Sequence, residues 1–322
     1  MLTIVKSQPT GLDSYDLATL PKGAWINLLA PSQTELAQVA EATQISVDIL
    51  RAALDEEERS RTELDDNCLL TVINIPVRQG EYYDTLPLGI ILSEDYIVTV
   101  CLTDNEVLQG FTNRTWRFFN TSKRTRFMFQ MMYRTATLFL KNLQHITRMT
   151  DALERNLRQS MQNDDLFEML EMQKSMTYFT YSLRSNGVVL DKVMRLRSNT
   201  HLQNLIKMYE EDEDLLEDVI IENRQALEMV EVQNNITSSM MDTFASIISN
   251  NVNRVMKFLT TMTILLAIPT MVASFWGMNV EVPFQVGENI ITFGGSHFWV
   301  IITTSFGVAT VVGYLLWRKN MF

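Results

Sequence analysis

Breakers are almost missing from half of this chain. Between Gly110 and Pro269 there is no proline and a single glycine, Gly187. A stretch of that length without breakers excludes a loop-rich globule and predicts long helices. Cysteine is scarce as well. Cys68 and Cys101 stand apart, with neither disulfide nor metal-type spacing, and read as reduced thiols in an apolar core. His145, His201 and His297 are scattered, none with a ligand partner at helical spacing, which argues against an imidazole metal centre. No Walker-type phosphate loop and no nucleophile–base set can be placed, so neither an enzyme nor a catalytic cofactor is expected. The net charge of −11 argues against nucleic-acid binding. The start, Met1-Leu-Thr-Ile-Val-Lys, lacks a basic segment followed by a long apolar one, so no signal peptide is expected.

Charge is also absent from two runs near the C-terminus. Neither Phe258 to Trp276 nor Phe298 to Trp317 contains an ionised residue. Each is about the roughly 20 residues that a helix needs to cross the hydrocarbon core of a bilayer. Arg254 and Lys257 precede the first run, Arg318 and Lys319 follow the second, and residues 277–297 hold no Lys or Arg. By the positive-inside rule both chain ends are expected in the cytoplasm of a cell with this protein in its plasma membrane. The loop between the runs, carrying Glu281 and Glu288, is expected outside.

What is present sorts into three segments. Residues 1–125 read as a cytosolic α/β domain. Short apolar, β-branched runs at Leu2–Val5, Ala24–Leu29, Cys68–Ile75, Leu88–Leu92 and Tyr96–Leu102 predict strands. Val77–Tyr83 and Leu102–Glu106 read as turns. Ser32 with Glu35 three residues later predicts a capped helix start, with a helix through Ala42 and another from Val47 to about Glu57. Residues 126–253 read as long cytosolic helices, with a run over Ala152–Leu183 that repeats leucine and methionine at spacings of three and four, a turn near Ser185-Asn186-Gly187 and a break at Ser198-Asn199-Thr200. The methionines of this region are expected to fill gaps in the core. The last cytosolic helix is expected to run from about Asp214 into the first span, a length on the order of 90 Å, as a stalk. Residues 254–322 form the transmembrane region, with spans at 254–276 and 298–317 and a loop at 277–297. The fold class is thus α+β: an N-terminal α/β domain, a helical stalk and two C-terminal transmembrane helices.

A polar stripe runs down the first span. Steps of three and four lead from Asn253 through Met256, Thr260, Thr263, Ala267, Thr270 and Ser274 to Gly277. Every member is small, polar or methionine, at the spacing of a left-handed helical seam. Such a stripe serves either tight helix packing or a water-filled path. One helix cannot enclose a path, so the second reading requires a homo-oligomer in the lipid. The chemistry on offer is neutral oxygen. Mg²⁺ dehydrates reluctantly, so neutral acceptors suit an ion that passes hydrated. At the end of the span, Gly277-Met278-Asn279 places a glycine where a helix can expose its carbonyls and an amide where a ring of carbonyl oxygens would receive a hydrated cation. Glu281 and Glu288 would raise the local cation concentration there.

These features together resemble the CorA-type family of divalent-cation (magnesium/cobalt) transporters. The resemblance rests on Gly277-Met278-Asn279 after the first of two terminal spans and on the preceding stretch Met240–Asn251, and the layout covers the whole chain. It implies a homopentameric channel for Mg²⁺, often also Co²⁺ or Ni²⁺, with Asn279 as selectivity element. It further implies that Asn253, Met256, Thr270 and Gly277 line the pore, Met256 near a hydrophobic gate. The sequence departs from the usual pattern at Trp276, where Tyr is common, at Val280, where Phe is frequent, and at Ala267, where some relatives carry Met.

The acidic run Glu210–Asp214, continued by Glu217, Asp218 and Glu222, reads either as a solvated helix face or as a cytosolic sensor. In relatives an aspartate at the place of Asp218 joins an intersubunit Mg²⁺ site that closes the pore, so Mg²⁺ is expected as regulatory ligand as well as substrate. Asp84 and Asp95 are candidate partners. Two other functions compete. A zinc or other divalent-metal transporter keeps the fold, but proton coupling would call for an intramembrane carboxylate or histidine, and the spans have neither. A membrane-anchored, non-transporting helical scaffold would make Asn279 dispensable.

Overall fold

The computed structural model describes residues 1–65, 67–160, 163–196, 205–206, 208–278 and 296–319. They divide into two compact units, Met1–Met241 and Asp242–Phe322.

The first unit is organised on a seven-stranded sheet. Its strands are β1 (Leu2–Gln8), β2 (Gly11–Ser14), β3 (Trp25–Leu29), β4 (Arg61–Asp65), β5 (Cys68–Gln79), β6 (Tyr82–Ser93) and β7 (Ile97–Cys101), in the order β2-β1-β3-β7-β6-β5-β4. Only the β3–β7 pair is parallel. The central strands read as unbroken apolar runs because both sheet faces are covered. Successive side chains alternate between two cores. Leu69, Ile73, Ile90 and Ile97 enter one with Phe127 and Val193. Leu70, Val72, Ile91 and Val98 enter the other with Leu36, Val39 and Leu50. Cys68 and Cys101 are buried and free.

Helix α1 (Gln33–Thr43) begins with the expected capping box: Glu35 N–H donates to Ser32 Oγ at 3.2 Å, and Ser32 N–H donates to the Glu35 carboxylate at 2.8 Å. Helix α2 (Val47–Arg51) is shorter than expected and passes into a tighter turn at Ala52–Leu54. Three further long helices start in this unit: α3 (Arg124–Ser160), α4 (Asn163–Leu196) and α5 (Glu210–Trp276).

The structure corrects several expectations. The turn expected over Val77–Tyr83 is present but narrower: it is made by Gly80, at φ +67°, and Glu81, and the flanking residues belong to the two arms of a long hairpin. The β6 arm is stabilised from α4, where Ser175 Oγ accepts from Tyr83 N–H at 3.2 Å. Strands β2 and β4 carry too little apolar pattern to be read locally and form by pairing with β1 and β5. Helix α4 runs straight through Ser185-Asn186-Gly187. The run Ala152–Leu183 is divided between α3 and α4. The break at Ser198-Asn199-Thr200 lies outside the described residues. Helix α5 starts four residues before Asp214 because its first turn uses Glu210–Glu213, acidic groups that favour a helix N-terminus.

The second unit contains the end of α5 and helix α6 (Ser296–Arg318). Both contain an apolar window long enough to span a membrane, and only 11% and 6% of those windows are buried by the protein itself. A soluble core helix would be mostly covered; these are not. Pro269 lies inside α5, and its missing N–H removes one helical bond without ending the helix.

Candidate functional site

Helix α5 presents two different faces within the second unit. Thr261 is fully buried, and Leu265, Ile268 and Val272, at steps of four, three and four, are partly covered. This face meets α6, where a side chain added at Gly313 would come within 3.3 Å of the Leu265 methyl Cδ2. Gly313 therefore lets the two helices approach closely. Nothing in the local pattern of α5 had marked this face; the small residue on α6 was its one visible signal.

The polar stripe lies on the other side. At 3.6 residues per turn, its centre is about 150° around the helix from the Thr261–Val272 line. Asn253, Met256, Thr260, Thr263, Ala267, Thr270, Ser274 and Gly277 are all exposed. Thr263, Ala267, Thr270 and Ser274 come together in one open groove of about 600 Å³, bounded also by Leu266, Met271, Phe275 and Met278. The stripe is thus not spent on packing against α6, which leaves it free for water or for other copies of the helix.

The hydroxyls in the groove are oriented by the helix itself. Thr263 Oγ1 donates to the Leu259 carbonyl at 2.8 Å, and Thr270 Oγ1 donates to the Leu266 carbonyl at 3.1 Å. With the proton committed to the backbone, each oxygen offers lone pairs only. Waters around a cation turn their hydrogens outward and are donors toward the second shell. The groove and a hydrated cation are therefore complementary, whereas a hydrated anion would meet the wrong polarity.

Gly277 closes the last turn of α5. Its N–H donates to the carbonyls of Ala273 at 3.0 Å and Ser274 at 3.1 Å. It does not adopt a left-handed backbone, and an added Cβ would meet only ordinary contacts at 3.4 and 3.5 Å. Met278 is exposed beside it. Asn279, Glu281 and Glu288 lie outside the described residues.

The acidic run of the first unit is used in two ways. Asp212 is 3% exposed. Its carboxylate accepts from Arg126 Nη1 at 3.1 Å and from Tyr209 N–H at 3.1 Å, so it caps α5 and ties it to α3. Asp218 is exposed. Of its candidate partners, Asp95 is paired with Lys22 at 3.0 Å and Asp84 accepts from Thr85 N–H at 2.7 Å. Among the described residues no three His, Cys, Asp or Glu side chains gather into a metal-binding group. A site at Asp218 would need a carboxylate from elsewhere.

Comparison with known proteins covers nearly the whole chain. Residues 22–319 match the family model described as CorA-like Mg²⁺ transporter protein. The cobalt/magnesium transport protein CorA of Methanocaldococcus jannaschii is 25% identical over 305 residues, 92% of this chain and 90% of that protein. The complete structure of the CorA magnesium transporter from the same organism matches with a TM-score of 0.82 at 20% identity, covering 100% of this chain and 99% of that one. The full-length CmaX protein matches with a TM-score of 0.70 at 15% identity, covering 100% and 97%. At these identities the two structural matches carry the fold.

Proposed function

Because the chain belongs to the CorA-like Mg²⁺ transporter family, we propose that it carries Mg²⁺ across the plasma membrane through a pore lined by the polar stripe of α5. Co²⁺ is a second substrate, as in the name of the relative from M. jannaschii, and Ni²⁺ a third. Several copies, five by the family resemblance, set their stripes around a common axis with both termini in the cytoplasm. The single observation that carries this reading is the exposure of the whole stripe on the side of α5 turned away from α6.

The driving force is electrical. A divalent ion gains about 4.6 kcal/mol per 100 mV on entry, from roughly 2.3 kcal/mol per charge. Acceptor-only hydroxyls hold the hydrated ion through its waters, and no dehydration has to be offset inside the span. Asn279 receives the ion at the outer mouth, Met256 narrows the path toward the cytoplasm, and Glu281 and Glu288 draw cations to the entrance. Closure follows when cytosolic Mg²⁺ bridges Asp218 to a carboxylate of another copy and relieves like-charge repulsion between them.

The test is uptake into proteoliposomes loaded with a Mg²⁺-sensitive dye under an imposed potential, run in parallel with Co²⁺, Ni²⁺ and Zn²⁺. Potential-driven Mg²⁺ entry that Asn279→Ala makes unselective or abolishes is the expected result. Entry that needs a pH gradient would favour the zinc-type alternative, and no entry at all would favour a scaffold.

A further inference from the structure

Transport leaves one surface of the first unit unexplained. Residues 107–150 contain eight Lys and Arg and no Asp or Glu, in a chain whose net charge is −11. The connection from β7 to α3 and the first turns of α3 wall a cavity of about 510 Å³, a size typical of small-molecule sites. Three cations line it, Arg117, Lys123 and Arg126, and no carboxylate does. Arg126 is already engaged by Asp212 at 3.1 Å. Arg117 and Lys123 are exposed and have no carboxylate partner among the described residues.

The rest of the lining is not what a simple anion would require. Trp116 carries the Arg117 guanidinium over its ring, 5.5 Å from the centroid. Phe118 is 79% exposed, a large apolar face turned to water on a loop otherwise well anchored by the stacking of Phe119 on Phe127. Gln130 donates from Nε2 to the Phe118 carbonyl at 2.8 Å, which holds this loop on α3. The cavity thus asks for negative charge and for a flat ring. Inorganic phosphate would answer the first alone, and a neutral aromatic the second.

We infer that this cavity binds a nucleoside polyphosphate. The phosphates lie against Arg117 and Lys123 as charge-assisted, partly bidentate contacts. The base stacks on the exposed Phe118 ring. The inference rests on the first unit alone and is independent of the transport reading.

Isothermal titration of the full chain in detergent micelles, in Mg²⁺-free buffer, tests it with ATP, adenosine and inorganic tripolyphosphate as probes. Saturable ATP binding is expected, with adenosine and tripolyphosphate each weaker by about tenfold or more, since stacking and phosphate contacts each contribute at least that factor. The double variant Arg117→Ala/Lys123→Ala should raise the Kd for ATP about tenfold and flatten its salt dependence. Phe118→Ala should weaken ATP and adenosine but not tripolyphosphate. All three side chains are exposed or half-exposed at the cavity rim, so folding is not at stake. Arg114→Ala, an exposed cation outside the lining, should change nothing. The inference is overturned by absence of saturable ATP binding, by tripolyphosphate binding as tightly as ATP, or by a Kd that ignores either the double variant or Phe118→Ala.

Discussion

Asn186 on α4 makes a two-way clasp with the backbone of Asn74 on β5: its Oδ1 accepts from the Asn74 N–H at 2.8 Å and its Nδ2 donates to the Asn74 carbonyl at 2.7 Å. Asn74 lies beyond the reach of β4, which ends its pairing at Val72, and faces Pro87 on β6, which has no N–H to give. The amide side chain stands in for the missing strand. Asn186→Leu should therefore leave two buried peptide groups unpaired and destabilise the first unit by roughly 2–5 kcal/mol. Asn186→Asp, with its carboxyl protonated at acidic pH, keeps an acceptor and a donor and should lose less. Denaturant unfolding of the solubilised protein checks the order; equal losses would show that the clasp is not what stabilises the contact.

The two aspartates of the acidic run should separate by readout. Asp212→Ala removes a buried partner of Arg126 and the Tyr209 N–H, and should lower stability by roughly 1–3 kcal/mol. Asp218→Asn, on an exposed face, should leave the unfolding midpoint in place while moving the Mg²⁺ concentration that closes the pore. If Asp218→Asn leaves closure unchanged, its assignment as a sensor is wrong.

Thr270→Val keeps the shape of the side chain and deletes its acceptor oxygen. Loss of that oxygen from every copy should slow Mg²⁺ uptake about fivefold or more, the equivalent of roughly 1 kcal/mol on the barrier. Ile264→Val, on an exposed α5 position outside the stripe, should leave uptake as it was. Equal rates for all three proteins would remove the stripe from the path.

Burial pushes the Cys68 thiol up from 9.0 to about 11. The folded chain then keeps this proton at pH values where the unfolded chain releases it, so unfolding is favoured progressively as pH rises. This contribution is fully present below about pH 9 and is lost on the way to about pH 11, up to roughly 2–3 kcal/mol. Unfolding midpoints followed across that window should fall more steeply for the wild type than for Cys68→Ala. Parallel slopes would assign the alkaline loss to other groups.

Much of this molecule is legible in its residues, because the relevant physics is local. The capping box at Ser32, the breaker-free helices, the uncharged spans and the stripe from Asn253 to Gly277 all follow from side chains that neighbour one another along the chain. Where the structure differs, a distant partner decides. Gly187 and Asn186 read as a turn until Asn186 meets Asn74, 112 residues away. Strands β2 and β4 have no pattern of their own and exist through their neighbours.

The same division holds at the site. That α5 carries a polar stripe into an apolar span is readable from the residues in order, since composition and period are properties of one helix. Folding alone settles which face of α5 meets α6, that the stripe stays open on the other side, and that Asp212 is a buried cap while Asp218 stays exposed. Those facts depend on a glycine in another helix, Gly313, and on an arginine 86 residues from its partner. Contact between remote segments leaves no periodic trace along the chain, and so it becomes visible only when the chain is folded.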